Sequence, residues 1–259
     1  VESLDEVPRN KTVIFSAHGV SPQVREDAKK RGLCIIDATC PLVTKVHLEA
    51  KRYAKKGYTI LLIGHDGHDE VIGTMGVAPN RIRLITNEQD AENVNISSGT
   101  SLAYLTQTTL SLEDTRKIVS VLRTRFPAIE GPPSEDICYA TQNRQMAVRE
   151  LARKSDLILV VGSRNSSNSN RLVEEAIKEG TSAYLIEDYK SIRDDWIKNA
   201  SAVGVTSGAS APEMLVSQVV TWLKMNGGEI EELVTQTENV EFPLPIELKR
   251  ESEKRKIAI

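Results

Sequence analysis

Two cysteines and three of the four histidines stand in polar stretches that follow short β-branched runs. Cys40 lies in Asp37-Ala38-Thr39-Cys40-Pro41 and Cys138 in Ile137-Cys138-Tyr139-Ala140-Thr141. Both read as points where a strand ends and a helix begins. A helix N-terminus favours the thiolate, the form of cysteine that binds metals and attacks electrophiles. The same positions also suit a small buried hydrophobe. Cys34 stands six residues before Cys40, at the opposite end of a predicted strand. At about 3.3 Å per residue that separation is roughly 20 Å, so Cys34 reads as structural. No Cys-x2-Cys pair occurs, and the spacing fits neither a zinc ribbon nor the ferredoxin runs. A zinc site of two cysteines completed by His65 or His68 stays open, as does a converging pair that serves an iron–sulfur centre.

A second set is His18, His68, Ser166, Asn168 and Ser210, all in stretches after predicted strands. Imidazole, hydroxyl and amide donors at helix N-termini make an anion site without relying on lysine or arginine. Gly-x-x-x-x-Gly-Lys-[Ser/Thr] and Gly-x-Gly-x-x-Gly are both absent. Nucleoside triphosphates and dinucleotides therefore lack their usual signatures, and a compact phosphate or diphosphate fits better. Glu70 follows His68 by two residues. A carboxyl group beside imidazole and hydroxyls is a candidate proton source, although a glutamate in a first helical turn also simply complements the helix dipole. Thr108 would relay a proton or orient a substrate hydroxyl, or else cap a helix.

These residues need elements to hold them. Short apolar runs at 13–15, 34–36, 60–63, 102–105, 157–161 and 202–205 alternate with amphipathic stretches at 22–31, 43–56, from about 70, 112–125, 170–179 and 212–225. Such alternation predicts an α/β fold with parallel sheets covered by helices. Ligands in these folds gather at the carboxyl ends of the strands. Seven strand-to-helix loops here are rich in Ser, Thr, Asn, His or Cys, which favours one convergent site over capping alone. A repeat is also visible. Twenty-four residues separate Cys40 from Gly64, and the same number separate Cys138 from Gly162, with a helix and a strand in each interval. One small α/β unit is therefore used twice. Boundaries are expected near Cys40 and near Gly131-Pro132-Pro133. The expected domains are 1–40, the remainder of a first α/β domain; 41–135, a second; 136–225, a third; and 226–259, a C-terminal segment packing back on the first. The charged run at 249–256 reads as a solvated helix or tail.

Composition narrows the classes. The 259 residues allow one large domain or two to three small ones. Lysine plus arginine number 33 against 36 aspartates and glutamates, a net charge of −3. That balance gives no general attraction to nucleic acid or to an anionic membrane. Aromatic residues are only 4%, too few for a surface that stacks single strands. The longest apolar runs fall far short of the roughly 20 residues that span a bilayer, and no secretory signal is read at the start. Three cysteines in a chain this long argue against a disulfide scaffold and for a reducing, cytoplasmic location. The sequence opens on Val1 rather than Met, as a piece of a longer protein would.

Taken together the loops resemble the LytB-type family of 4-hydroxy-3-methylbut-2-enyl diphosphate reductases. The resemblance is carried by Phe-Ser-Ala-His-Gly-Val at 15–20, Asp-Ala-Thr-Cys-Pro-Leu-Val-Thr-Lys-Val-His at 37–47 and Thr-Gln-Thr-Thr-Leu-Ser at 106–111. It continues in Ile-Cys-Tyr-Ala-Thr at 137–141, Gly-Ser-Arg-Asn-Ser-Ser-Asn-Ser-Asn-Arg-Leu at 162–172 and Gly-Ala-Ser-Ala-Pro at 208–212. It implies three similar α/β domains around a central 4Fe-4S cluster, the first of them incomplete here. It implies reductive removal of a hydroxyl from an allylic diphosphate, giving isopentenyl and dimethylallyl diphosphates in the last step of the non-mevalonate pathway. By resemblance Cys40 and Cys138 ligate the cluster. His18, His68, Ser166, Ser167, Asn168 and Ser210 hold the diphosphate, Glu70 is the proton source, and Thr108 belongs to its relay. Electrons would come from ferredoxin or flavodoxin.

Two departures from the family pattern stand out. The family's first cluster cysteine and a further diphosphate-binding histidine are expected upstream of Val1. With two cysteines alone a cubane would lack a protein ligand, so residues 1–259 by themselves are expected neither to hold a stable cluster nor to turn over. Asp69 stands between His68 and Glu70, where the family commonly has proline, and little effect on Glu70 is expected from it.

Overall fold

The computed structural model describes residues 1, 3–236 and 240–249. The described residues form one two-stranded and two three-stranded sheets, with parallel pairing throughout. They divide into two compact units. Of the described residues, the first holds those of Val1–Thr108, Glu113–Asp136 and 240–249. The second holds Thr109–Leu112 and 137–236.

In the first unit β1 (Thr12–Phe15) pairs with β2 (Cys34–Asp37) across α1 (Pro22–Lys30). Val13 and Phe15 point inward in strict alternation and join Val7, Ala28 and Leu33 in a small core. Ser21 caps α1 through Val24 N–H, with Pro22 in the first turn, where its missing N–H costs nothing. The second sheet has the order β4-β3-β5, from β3 (Thr59–Ile63), β4 (Ile82–Ile85) and β5 (Leu102–Thr106). Its helices are α2 (Pro41–Lys55), α3 (Asp69–Val77), α4 (Glu88–Asn93) and α5 (Leu112–Arg125), the last beginning in the second unit. The central β3 reads Thr-Ile-Leu-Leu-Ile and is buried from Ile60 to Ile63. A strand covered by helices on both faces must be apolar at every position rather than at alternate ones.

The second unit repeats this plan. α6 (Tyr139–Arg153), β6 (Leu157–Val161), α7 (Ser167–Lys178), β7 (Ser182–Ile186), α8 (Asp194–Ile197), β8 (Val203–Ser207) and α9 (Glu213–Met225) build a sheet of order β7-β6-β8. The repeat seen in the sequence is a structural one. Cys40 and Cys138 each precede a 15-residue helix, and each helix leads to a five-residue central strand. The two faces of β6 pack into separate cores, one with α6 and α7, the other with α9.

The structure adds β4 and β7, which the pattern of apolar runs does not reveal. Both are edge strands. In β4 Arg83 is exposed between Ile82 and Ile85; β7 begins on the exposed Ser182 and alternates only partly. An edge strand needs only one partner and a partial apolar face, so its signal is weak. α7 starts three residues before the expected 170, because Ser166 caps it through Ser169 N–H. From Asn226 the described chain has no regular structure except a short helical turn at 246–249. The charged run beyond Lys249 lies outside the described residues.

Candidate functional site

In the first unit the loops after β1, β3 and β5 bring His18, His68, Glu70 and Thr108 together. The turn at 16–19 closes through Gly19 N–H to the Ser16 carbonyl at 3.1 Å, with Gly19 left-handed at φ 75°. This turn is stitched to the next loop by Ala38 N–H to Phe15 O at 3.1 Å and Cys40 N–H to Ala17 O at 3.0 Å. His18 is half-exposed; its ring meets that of His68 edge-on at 5.1 Å, and its Nδ1 lies 3.8 Å from Asp69 Oδ2.

His68 is the N-cap of α3. Its Nδ1 accepts the Glu70 backbone N–H at 3.1 Å. Burial, with His18 adding to it, pulls the His68 pKa down to about 4. At neutral pH the ring is therefore uncharged, and with Nδ1 accepting, its proton sits on Nε2, which becomes a donor. Asp69 lies in the first turn of α3, where a carboxylate complements the helix dipole.

Glu70 is 1% exposed. One carboxylate oxygen accepts Thr108 N–H at 2.7 Å and the other accepts the Thr108 hydroxyl at 2.9 Å. Burial pushes its pKa up to about 7; the two Thr108 bonds oppose this and Asp136 adds to it. Desolvation outweighs two good hydrogen bonds because the carboxylate has lost nearly all its water. The group is thus divided between acid and carboxylate near neutrality, as a proton donor should be. When protonated, its hydroxyl can donate to Thr108 Oγ1, reversing that bond.

Three further residues support this arrangement, and these three and the buried His47 were not singled out from the sequence. Gln107 Oε1 accepts His65 N–H at 3.0 Å, fastening the loop that carries His68 to the end of β5. Asp136 accepts Thr106 N–H at 3.0 Å and pairs with Lys45 Nζ at 3.1 Å. Lys45 also donates to the carbonyls of Ser134 and Glu135. Burial lifts the Asp136 carboxyl to about 6 despite Thr106 and Lys45. His47 lies buried on α2. Lys45, His47 and Gln107 lie inside the recognisable motifs, so position in the motif was the available signal; for Asp136 only its place two residues before Cys138 pointed to it.

Cys40 is the N-cap of α2 and makes no side-chain capping bond, with Pro41 beginning the helix. Cys34 stands exposed at the far end of β2.

In the second unit Cys138 caps α6. Its sulfur accepts Thr141 N–H at 3.2 Å and lies 2.9 Å from Thr141 Oγ1. Ser166 caps α7, and Thr109 donates to Ser167 Oγ at 3.3 Å. Asn168 is 5% exposed and neither atom of its amide has a partner. Ser169 Oγ is buried and likewise without a partner. Gly162 and Gly208 press on Ser169: an added Cβ would lie 2.2 and 2.1 Å from its hydroxyl oxygen. Only glycine lets the ends of β6 and β8 close on the start of α7, and this brings the 208–210 turn with the exposed Ser210 to the Ser166–Asn168 loop. A buried amide with both ends unsatisfied is costly unless a ligand completes it.

Cys40 and Cys138 form no disulfide and are partly accessible. Among the described residues no group of three or more His, Cys, Asp or Glu is arranged to hold a metal ion. Each thiol stands at the positive end of a 15-residue helix, and by its chemistry each fits the ligand type that iron–sulfur clusters take. Helix dipoles stabilise thiolates, and hydrogen bonds to sulfur such as those from Thr141 tune clusters.

The sequence pattern of the LytB protein family matches residues 1–224. The chain belongs to the LytB family. It is 55% identical over 254 residues to the 4-hydroxy-3-methylbut-2-enyl diphosphate reductase of Chromohalobacter salexigens, covering 96% of this chain and 80% of that one. It is 54% identical over 253 residues to the reductase of the same name from Pseudoalteromonas translucida, covering 96% and 82%. Among solved structures it matches the E-1-hydroxy-2-methyl-but-2-enyl-4-diphosphate reductase of Plasmodium falciparum with a TM-score of 0.93 at 39% identity, covering 99% of this chain and 81% of that one. A second LytB-like match has a TM-score of 0.59 at 29% identity, covering 86% and 79%. It is described as (E)-4-hydroxy-3-methyl-but-2-enyl diphosphate reductase, the terminal enzyme of the non-mevalonate pathway. No helix among the described residues of this LytB chain is long and apolar enough to cross a membrane.

Proposed function

We propose that this LytB chain is a 4-hydroxy-3-methylbut-2-enyl diphosphate reductase, an oxidoreductase of isoprenoid synthesis. The reaction takes two electrons and two protons. The substrate C–O bond breaks, the hydroxyl leaves as water with one proton, and carbon receives the other, giving isopentenyl or dimethylallyl diphosphate. Cys40 and Cys138 would be two of the cysteine ligands of a 4Fe-4S cluster. When bound, that cluster supplies the electrons, delivered one at a time from a reduced ferredoxin or flavodoxin.

The chain's own residues do the rest. In the first unit His68 gives an uncharged Nε2–H donor and His18 a second imidazole for diphosphate oxygens. In the second, Ser166, Ser167 and Ser210 give hydroxyls, and the unsatisfied Asn168 amide gives a donor and an acceptor. Glu70 holds a proton near neutral pH, and Thr108 Oγ1 passes it on or orients the substrate hydroxyl that receives it. Domains at 1–40, 41–135 and 136–225, a C-terminal segment on the first of them, and a cytoplasmic location complete the reading.

The observation that carries it is Glu70, buried, divided between its two protonation states near pH 7, and held on both oxygens by Thr108. Its test is anaerobic turnover of the allylic diphosphate by the full-length, cluster-loaded protein. Glu70→Gln keeps the shape and loses the proton, so kcat should fall by roughly 10²–10⁴, the range for a general acid, with visible absorbance unchanged. Cys40→Ser and Cys138→Ser should each bleach that absorbance while Cys34→Ser leaves it. Full turnover by Glu70→Gln would refute the role of Glu70.

A further inference from the structure

The buried imidazole of His47 has no task in the reading above. α2 carries His47 two turns beyond Cys40. Its Nε2 is buried and has no hydrogen-bond partner. A ring nitrogen left in that state is unfavourable, and phenylalanine would fill the same space without that defect.

Its surroundings suggest why histidine is there. A Cβ built on Gly19 would lie 3.1 Å from His47 Cε1. One built on Gly73 would lie 3.6 Å from His47 Nε2 and 3.3 Å from the Gly19 carbonyl oxygen. The imidazole, the Gly19 carbonyl and α3 therefore meet at one point. Gly19 directly follows His18, and Gly73 lies three residues after Glu70 in α3. The contact thus sets the spacing between the turn that presents His18 and the helix that presents Glu70. The ring is uncharged at neutral pH: burial, then Arg25 and Lys51, pull its pKa to about 4 against Asp37.

We infer that His47 is a positioning residue of this LytB chain: its ring wedges the His18 turn against α3, and its Nε2–H takes the Gly19 carbonyl when that turn settles on a diphosphate. The inference rests on the diphosphate site proposed above.

The test compares His47→Phe and His47→Gln in the holoenzyme. His47→Phe keeps the volume and removes the donor. It should raise KM about tenfold, the loss expected for one hydrogen bond, with kcat nearly unchanged and the thermal midpoint no lower. Affinity for inorganic diphosphate, measured by calorimetry, should fall by the same factor. His47→Gln retains a donor and should recover most of both. Nitrogen-15 spectra of the oxidised wild-type protein add a measurement that needs no variant: the His47 Nε2 signal should move on saturation with inorganic diphosphate, and a fixed signal overturns the inference. Wild type binding diphosphate with His47→Phe binding equally well overturns the positioning role alone. A wild-type holoenzyme that binds no diphosphate overturns the site reading and this inference together.

Discussion

Replacing Glu70 by glutamine should change how folding stability depends on pH, by an amount that follows from its burial. In the folded protein the carboxyl is lifted from 4.5 to about 7. The folded state therefore binds this proton more tightly than the unfolded chain. The stabilising contribution is fully present below about pH 4.5 and is lost as pH rises through about 7. At about 1.4 kcal/mol for each tenfold change, the full loss is about 3 kcal/mol. The group is almost fully buried, so no discount for solvent screening applies. Glutamine preserves the contacts: its carbonyl accepts Thr108 N–H and its amide donates to Thr108 Oγ1, in place of the bonds at 2.7 and 2.9 Å. Urea unfolding followed by circular dichroism at pH 5, 6, 7 and 8 measures the difference. Wild type and Glu70→Gln should be close at pH 5, with the variant more stable by about 3 kcal/mol at pH 8. Asp136, His47 and His68 are common to both proteins and cancel to first order. Curves that stay parallel across the range would show that the carboxyl is ionised in the folded state near neutrality, and the proton-source argument would fail with it.

Two further outcomes test the second unit. Gly208→Ala should destabilise the protein by about 1–3 kcal/mol, since its Cβ would fall 2.1 Å from Ser169 Oγ; adding Ser169→Gly should restore much of the melting temperature, and no recovery would contradict that packing. Asn168→Ala should raise KM for the diphosphate at least tenfold, about 1.4 kcal/mol, without lowering thermal stability, because the folded protein gives that amide no partner; a variant that melts earlier with unchanged KM would make Asn168 structural.

Much of the architecture was legible because it rests on local rules. Runs such as Leu157–Val161 are apolar at every position because both faces of the strand are covered. The equal spacing of Cys40–Gly64 and Cys138–Gly162 survives as equal helices and equal central strands. The edge strands β4 and β7 were not legible, because one buried face leaves little periodicity over four or five residues. The polar loops could be ranked as candidates, but Ser, Thr and Asn in a loop look alike whether they cap a helix or await a ligand. Ser166 caps α7, while the neighbouring Asn168 has an amide that nothing in the protein satisfies.

The sequence by itself determined the α/β alternation, the repeated unit, the cysteines at two helix starts and the motifs that mark the LytB family. Only the tertiary structure decided what those groups are chemically. The sequence places Glu70 near His68; it takes burial, opposed by the amide and hydroxyl of Thr108, 38 residues away in the chain, to bring its pKa to about 7. The proton on His68 is assigned to Nε2 because its other nitrogen caps α3. His47 looks like any helical histidine until Gly19 and Gly73 close around it. Desolvation and hydrogen bonding depend on which distant segments fold against a side chain, and no local pattern of residues encodes them.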